Sequence, residues 1–117
     1  MSVAPYPEIV SCITEQVNVL NKEIPETMKG FWAMLEGAEK PGALDKKTKE
    51  LIAMGIAIAL RCDGCIGFHA NNLVKLGISR AEYEEMLGVS IFMGGGPSLM
   101  YAAQALSAWE EFGGAKS

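Results

Sequence analysis

Four residues within one twenty-residue stretch, Glu50 to His69, are of the types that move protons and electrons. A carboxylate, Glu50, opens an otherwise apolar run. Cys62 and Cys65 form a Cys-x-x-Cys pair, and His69, the sole histidine of the chain, follows one turn later. A cysteine at a helix start feels the positive end of the macrodipole and its unpaired N–H groups, which favours thiolate. An imidazole one turn on can take the thiol proton and return it. Two thiols at this spacing can close a disulfide once one of them has been oxidised to sulfenic acid. A carboxylate buried beside the imidazole would orient it or accept its proton, with a pKa raised by burial.

These groups need helices to bring them together. With about 100° of turn per residue, Cys62, Cys65, His69 and Asn72 share an arc with Ile66, Phe68, Leu73 and Leu76. Asp63, Gly64, Gly67, Asn71 and Lys75 form the opposite arc, which reads as the solvated one. Glu50 lies on the preceding helix, and only an antiparallel hairpin turning at Arg61 would bring it to His69. That preceding helix is apolar on every side from Leu51 to Leu60, the pattern of a helix in the middle of an assembly.

Elsewhere the pattern is also helical, because no run alternates as a strand would and proline and glycine cut the chain into helix-length pieces. Pro7 suits the first turn of a helix reaching Leu20, with Ile9, Ile13, Val17 and Leu20 on one face, and Pro25 opens a second that stops near Gly37. Residues 37–44 read as a loop, and Asp45 as the N-cap of the third helix. A fourth runs from about Cys62 to Leu76, with Gly77 placed as a C′ glycine. Ser79 and Glu82 make a capping box for the fifth, which ends at Gly94-Gly95-Gly96. Pro97 starts a sixth that reaches about Glu111, and the last residues read as frayed. The expected fold is all-α, one domain over residues 1–117, a bundle of about six helices.

Bulk properties narrow the function. At 117 residues, with 50% hydrophobic residues, the chain has more apolar side chain than so small a domain ordinarily hides, which favours burial between subunits. Net charge is −4 and no basic run exceeds Lys46-Lys47, which argues against nucleic acid as a partner. The N-terminus lacks the basic and apolar regions of a signal peptide. The longest apolar run, Leu51 to Leu60, is short of the roughly 20 residues that a bilayer needs. A soluble, cytoplasmic protein is expected, and in that compartment a Cys-x-x-Cys is redox-active or metal-binding more often than a staple. Cys12 reads as a small core residue.

Each chemical element has a plainer reading: a chance Cys-x-x-Cys, a satisfied core histidine, a first-turn carboxylate solvated beside lysines. Two cysteines, a histidine and a glutamate also form an acceptable zinc set, although Cys62, Cys65 and His69 on one continuous helix would splay along its axis. A purely structural helical assembly is a third reading. The segment Met86 to Met100 could line an apolar ligand pocket beside the thiols, or an oligomer interface, and the interface is favoured.

The full spacing is glutamate, eleven residues, cysteine, two residues, cysteine, three residues, histidine. It resembles the alkylhydroperoxidase D-like family within the carboxymuconolactone decarboxylase superfamily, over about Asp45 to Trp109. The resemblance implies an all-α bundle assembled as trimers or hexamers, with thiol-dependent reduction of hydroperoxides at the expense of a thiol or dithiol donor, and no bound cofactor. It implies Cys65 as the peroxidatic cysteine, Cys62 as the resolving thiol closing a 62–65 disulfide, and His69 with Glu50 as the proton relay. The decarboxylase branch of the superfamily lacks the cysteine pair, which argues against that reaction here, though another activity within the superfamily stays open. The best-known alkylhydroperoxidase D proteins carry a histidine between the cysteines. Here Asp63-Gly64 supplies instead a negative charge, expected to raise thiol pKa unless it caps the helix.

Overall fold

A computed structural model describes residues 5–116. Six helices follow one another: α1 (Tyr6–Glu23), α2 (Pro25–Glu39), α3 (Lys46–Leu60), α4 (Asp63–Lys75), α5 (Arg80–Gly94) and α6 (Gly96–Glu111). No strand occurs among the described residues, so the all-α expectation holds.

The boundaries have local causes. Only Ile24 separates α1 from α2, because Pro25 lacks the N–H that α1 would need and its ring disfavours helical backbone before it. Asp45 caps α3 by accepting the Thr48 N–H at 2.8 Å. Gly77, at φ +75°, ends α4 in a Schellman turn. Its N–H meets the Val74 carbonyl at 3.1 Å and the Ile78 N–H meets Leu73 at 3.4 Å. The capping box of α5 is complete: the Glu82 N–H donates to Ser79 Oγ at 3.0 Å and the Ser79 N–H to Glu82 Oε1 at 2.8 Å.

The core lies among α3, α4, α5 and α6. Met54, Ile58, Ile66, Leu73, Tyr83 and Trp109 are buried there. Ala102, Ala105 and Ala108 of α6 are also buried, and such small side chains let neighbouring helices approach. The Tyr83 hydroxyl donates to the Ala105 carbonyl at 2.6 Å, and the Tyr83 and Trp109 rings lie 4.7 Å apart. The final residues do not fray up to Ala115, whose carbonyl accepts from Trp109 Nε1 and from Arg80 Nη1, each at 3.0 Å.

Cover within the chain is incomplete in three places. Within the chain α3 is not surrounded: Met54, Ala57 and Ile58 are buried, whereas Ile52, Ile56 and Leu60 face outward. Cys12 is an exposed free thiol on the outer side of α1, not a core residue. The stripe along α1 is only half-buried at Ile9, Ile13 and Val17 and exposed at Leu20. α2 goes furthest, with no buried residue at all. A helical period marks which side chains want cover, but cannot say whether the same chain supplies it.

Candidate functional site

The site begins where α3 ends. Arg61 adopts the left-handed conformation, φ 57° and ψ 44°, which costs a non-glycine residue about 1–2 kcal/mol. It closes a second Schellman turn, with the Arg61 N–H on the Ile58 carbonyl and the Cys62 N–H on Ala57, both at 3.1 Å. The chain thus reverses over Arg61 and Cys62, and α4 returns against α3. That turn is the hairpin needed to bring Glu50 to His69.

Cys62 is the N-cap of α4, one residue before the first helical position. Its Sγ accepts the Cys65 N–H at 3.2 Å, and it is joined to Cys65 in a disulfide with Cα atoms 5.2 Å apart. Both cysteines are half-buried.

Across the hairpin, His69 Nδ1 lies 2.7 Å from Glu50 Oε2, and Asn72 Nδ2 lies 3.4 Å from Glu50 Oε1. Glu50 is only 2% exposed, and the His69 side chain 22%. Burial is the largest single influence on the carboxyl and pushes its pKa up. The His69 hydrogen bond and charge, with smaller polar contributions from Glu39 and Asn72, more than offset it, so the carboxyl lies below the ordinary glutamate value. The expected upward shift is therefore reversed. With Glu50 ionised, Nδ1–H is the donor, which leaves Nε2 as the free, basic ring nitrogen.

The opposite arc of α4 is not solvated. Gly67 is buried, and a Cβ there would come 2.6 Å from Val10 Cγ2; one on Gly64 would come 2.7 Å from Ile13 Cδ1. The two glycines are the seat of α1, which lies across the helix that carries the cysteines. A bulky side chain at position 64, between the cysteines, would displace α1 at Ile13. Asp63 does not cap α4. Its Oδ1 instead lies 3.2 Å from the hydroxyl of buried Tyr6, which is also 2.9 Å from Gln104 Oε1. Tyr6, Gln104 and Asn72 were not singled out as site residues in the sequence. The spacing of Asn72, three residues after His69, carried a signal; that of Tyr6 and Gln104 carried none.

Among the described residues no three histidine, cysteine or acidic side chains converge as a metal-ligand set, and no helix is long and apolar enough to cross a membrane. An apolar groove of about 570 Å³ runs between α3 and α5, lined by Ile52, Ile56, Ala59, Met86, Val89 and Met93 among others. Neither cysteine, nor His69, nor Glu50 lines it, so the Met-rich segment forms a groove apart from the thiols.

Comparison with known proteins places this architecture. The profile of the Carboxymuconolactone decarboxylase family matches residues 25–108. The chain belongs to the carboxymuconolactone decarboxylase family. The match takes in α2 as well as the segment from Asp45 onward. A crystal structure of a carboxymuconolactone decarboxylase family protein from Legionella pneumophila, in its apo form, superposes with a TM-score of 0.90 at 57% identity, covering 92% of this chain and 96% of that one. A family member from Thermotoga maritima, described as a candidate participant in an antioxidative response, superposes at 0.78 with 29% identity over 87% of each chain. An uncharacterized protein of Cupriavidus necator is 36% identical over 95 residues, 81% of this chain and 84% of that relative.

Proposed function

We propose that this carboxymuconolactone decarboxylase family protein is a thiol-dependent peroxidase that reduces hydroperoxides through Cys62 and Cys65. The observation that carries the reading is the Cys62–Cys65 disulfide at the start of α4, one turn from a histidine tied to a buried, ionised glutamate. The description of the Thermotoga maritima relative agrees with an antioxidant role.

The reaction balances in three steps. The Cys65 thiolate attacks the distal peroxide oxygen; the O–O bond breaks, Cys65 becomes sulfenic acid, and the alkoxide takes a proton to leave as alcohol. Cys62 then attacks the sulfenic sulfur, forming the disulfide and releasing water. A thiol or dithiol reductant reopens it, two thiols of the donor being oxidised as two cysteine thiols form. His69, through Nε2, holds the proton taken from the Cys65 thiol and delivers it to the leaving oxygen. Glu50 orients the ring through Nδ1. Because the Cys65 N–H already points at Cys62 Sγ, Cys62 is the better leaving thiolate, so the reductant attacks at Cys65.

The same proposal includes assembly as a homo-trimer or homo-hexamer. The chain exposes 7197 Å², against about 6,200 Å² for a compact monomer of this size. No residue of α2 is fully buried within the chain, and the groove between α3 and α5 is apolar.

The test is peroxide consumption with several thiol donors, beside Cys65→Ser, Cys62→Ser and His69→Ala. Cys65→Ser should abolish turnover. Cys62→Ser should stop after one peroxide and leave a trappable sulfenic acid. Wild-type consumption by Cys65→Ser would overturn the mechanism.

A further inference from the structure

Asp63 places a carboxylate between the two cysteines at the first position of α4, where the helix end favours negative charge. An acidic side chain there would normally turn toward the free N–H groups of the first turn. It does not: the Cys65 N–H goes to Cys62 Sγ, and the Asp63 carboxylate faces the Tyr6 hydroxyl at 3.2 Å. Tyr6 is 2% exposed and is fixed from a second direction, since its backbone N–H donates to Glu111 Oε1 at 2.8 Å. One hydroxyl proton cannot serve both Asp63 and Gln104. With the Gln104 amide turned so that Nε2 donates to the phenol oxygen, the Tyr6 proton goes to the carboxylate and both contacts of the phenol are satisfied.

We infer that Tyr6 is a positioning residue for the redox pair: by holding the Asp63 carboxylate away from the first turn of α4, it reserves the Cys65 N–H for the Cys62 sulfur and so favours the Cys62 thiolate. The inference rests on the proposed opening of the 62–65 disulfide to a dithiol. Freed from Tyr6, the carboxylate would compete for the donor a thiolate needs and bring like charge closer to it. The ionisable groups around this corner are Asp63 and His69 of α4, Glu50 of α3, Arg61 at the junction, Tyr6 of α1, and Tyr101 and Glu111 of α6. Of these, Tyr6 is the donor that reaches the Asp63 carboxylate.

The experiment is the pH dependence of thiol alkylation in the fully reduced protein, with the midpoint potential of the disulfide measured beside it, for wild type, Tyr6→Phe, Asp63→Asn and the double variant. Tyr6→Phe should raise the pKa of the Cys62 thiol, slow its alkylation several-fold at neutral pH, and make the disulfide harder to reduce. Asp63→Asn should shift all three the other way, and the double variant should match Asp63→Asn, because without the carboxylate Tyr6 has nothing to hold. A Tyr6→Phe effect of equal size in the Asp63→Asn background would mean a general packing role and overturn the inference. So would an Asp63→Asn profile identical to wild type, which keeps the test decisive even if Tyr6→Phe folds poorly. Peroxide is absent from these measurements, so a protein that consumes none would fail as a peroxidase without touching this result.

Discussion

His69 and Glu50 are nineteen positions apart in sequence and 2.7 Å apart in space, Nδ1 to Oε2, across the turn between α3 and α4. Their contact ties the imidazole to the helix that forms the inner wall of the bundle. His69→Ala should cost about 1.5–3 kcal/mol, the worth of a hydrogen bond to a charged group, because it leaves a buried carboxylate with only the long Asn72 contact. Urea unfolding measures this; an unchanged midpoint would mean that the pair contributes nothing to the fold.

The pH dependence of the pair has a definite sign. Burial pushes the Glu50 carboxyl up, but the His69 hydrogen bond and charge pull its pKa below the ordinary glutamate value. A group depressed in the native state contributes stability above its unfolded pKa and loses it as pH falls through the native one. The stability difference between wild type and Glu50→Gln should therefore be constant from neutral pH down to the ordinary glutamate range, then change in favour of the variant as acid protonates Glu50. Parallel acid-unfolding curves would contradict the assignment.

Gly67 is one of the two glycines on which α1 is seated against α4. A methyl group there meets Val10 Cγ2 at 2.6 Å, and Val10 is stiff at χ1. Gly67→Ala should destabilise by about 1–3 kcal/mol as an overpacked contact, against the modest gain in helix propensity. Because α1 lies over the cysteine-bearing helix, a small thiol reductant should open the disulfide faster in the variant. Equal melting temperatures and equal reduction rates would refute the close seat.

Oligomer formation should depend on the outward apolar face of α3 and α5. Ile56 is 54% exposed and Met93 74%, and both line the groove between those helices. Light scattering should give a mass above that of one chain for the wild type and a smaller species for Ile56→Lys or Met93→Glu. A monomeric wild type would remove the assembly from the proposal.

Much was legible in the sequence because local rules decide it. Asp45, Ser79 with Glu82, Gly77 and the prolines at 25 and 97 set helix ends through capping and backbone geometry, which act over three or four residues. The stretch from Glu50 to His69 was legible for the same reason: Cys62, Cys65 and His69 are joined by one helical period, and the Glu50 spacing needs only a tight hairpin.

What the tertiary structure alone decided concerns faces and charge. The arc with Gly64 and Gly67 looked solvated because it lacks large apolar side chains, yet the missing side chains are what admit α1. Glu50 was expected to be raised by burial, and only the approach of His69 across the hairpin reverses the direction. Asp63 was expected to raise the thiol pKa unless it caps α4; it does not cap, and its carboxylate instead faces Tyr6, fifty-seven positions away. Helical periodicity reports what each segment presents, but the partner that meets it is chosen by packing over long sequence separations. No local rule carries that information.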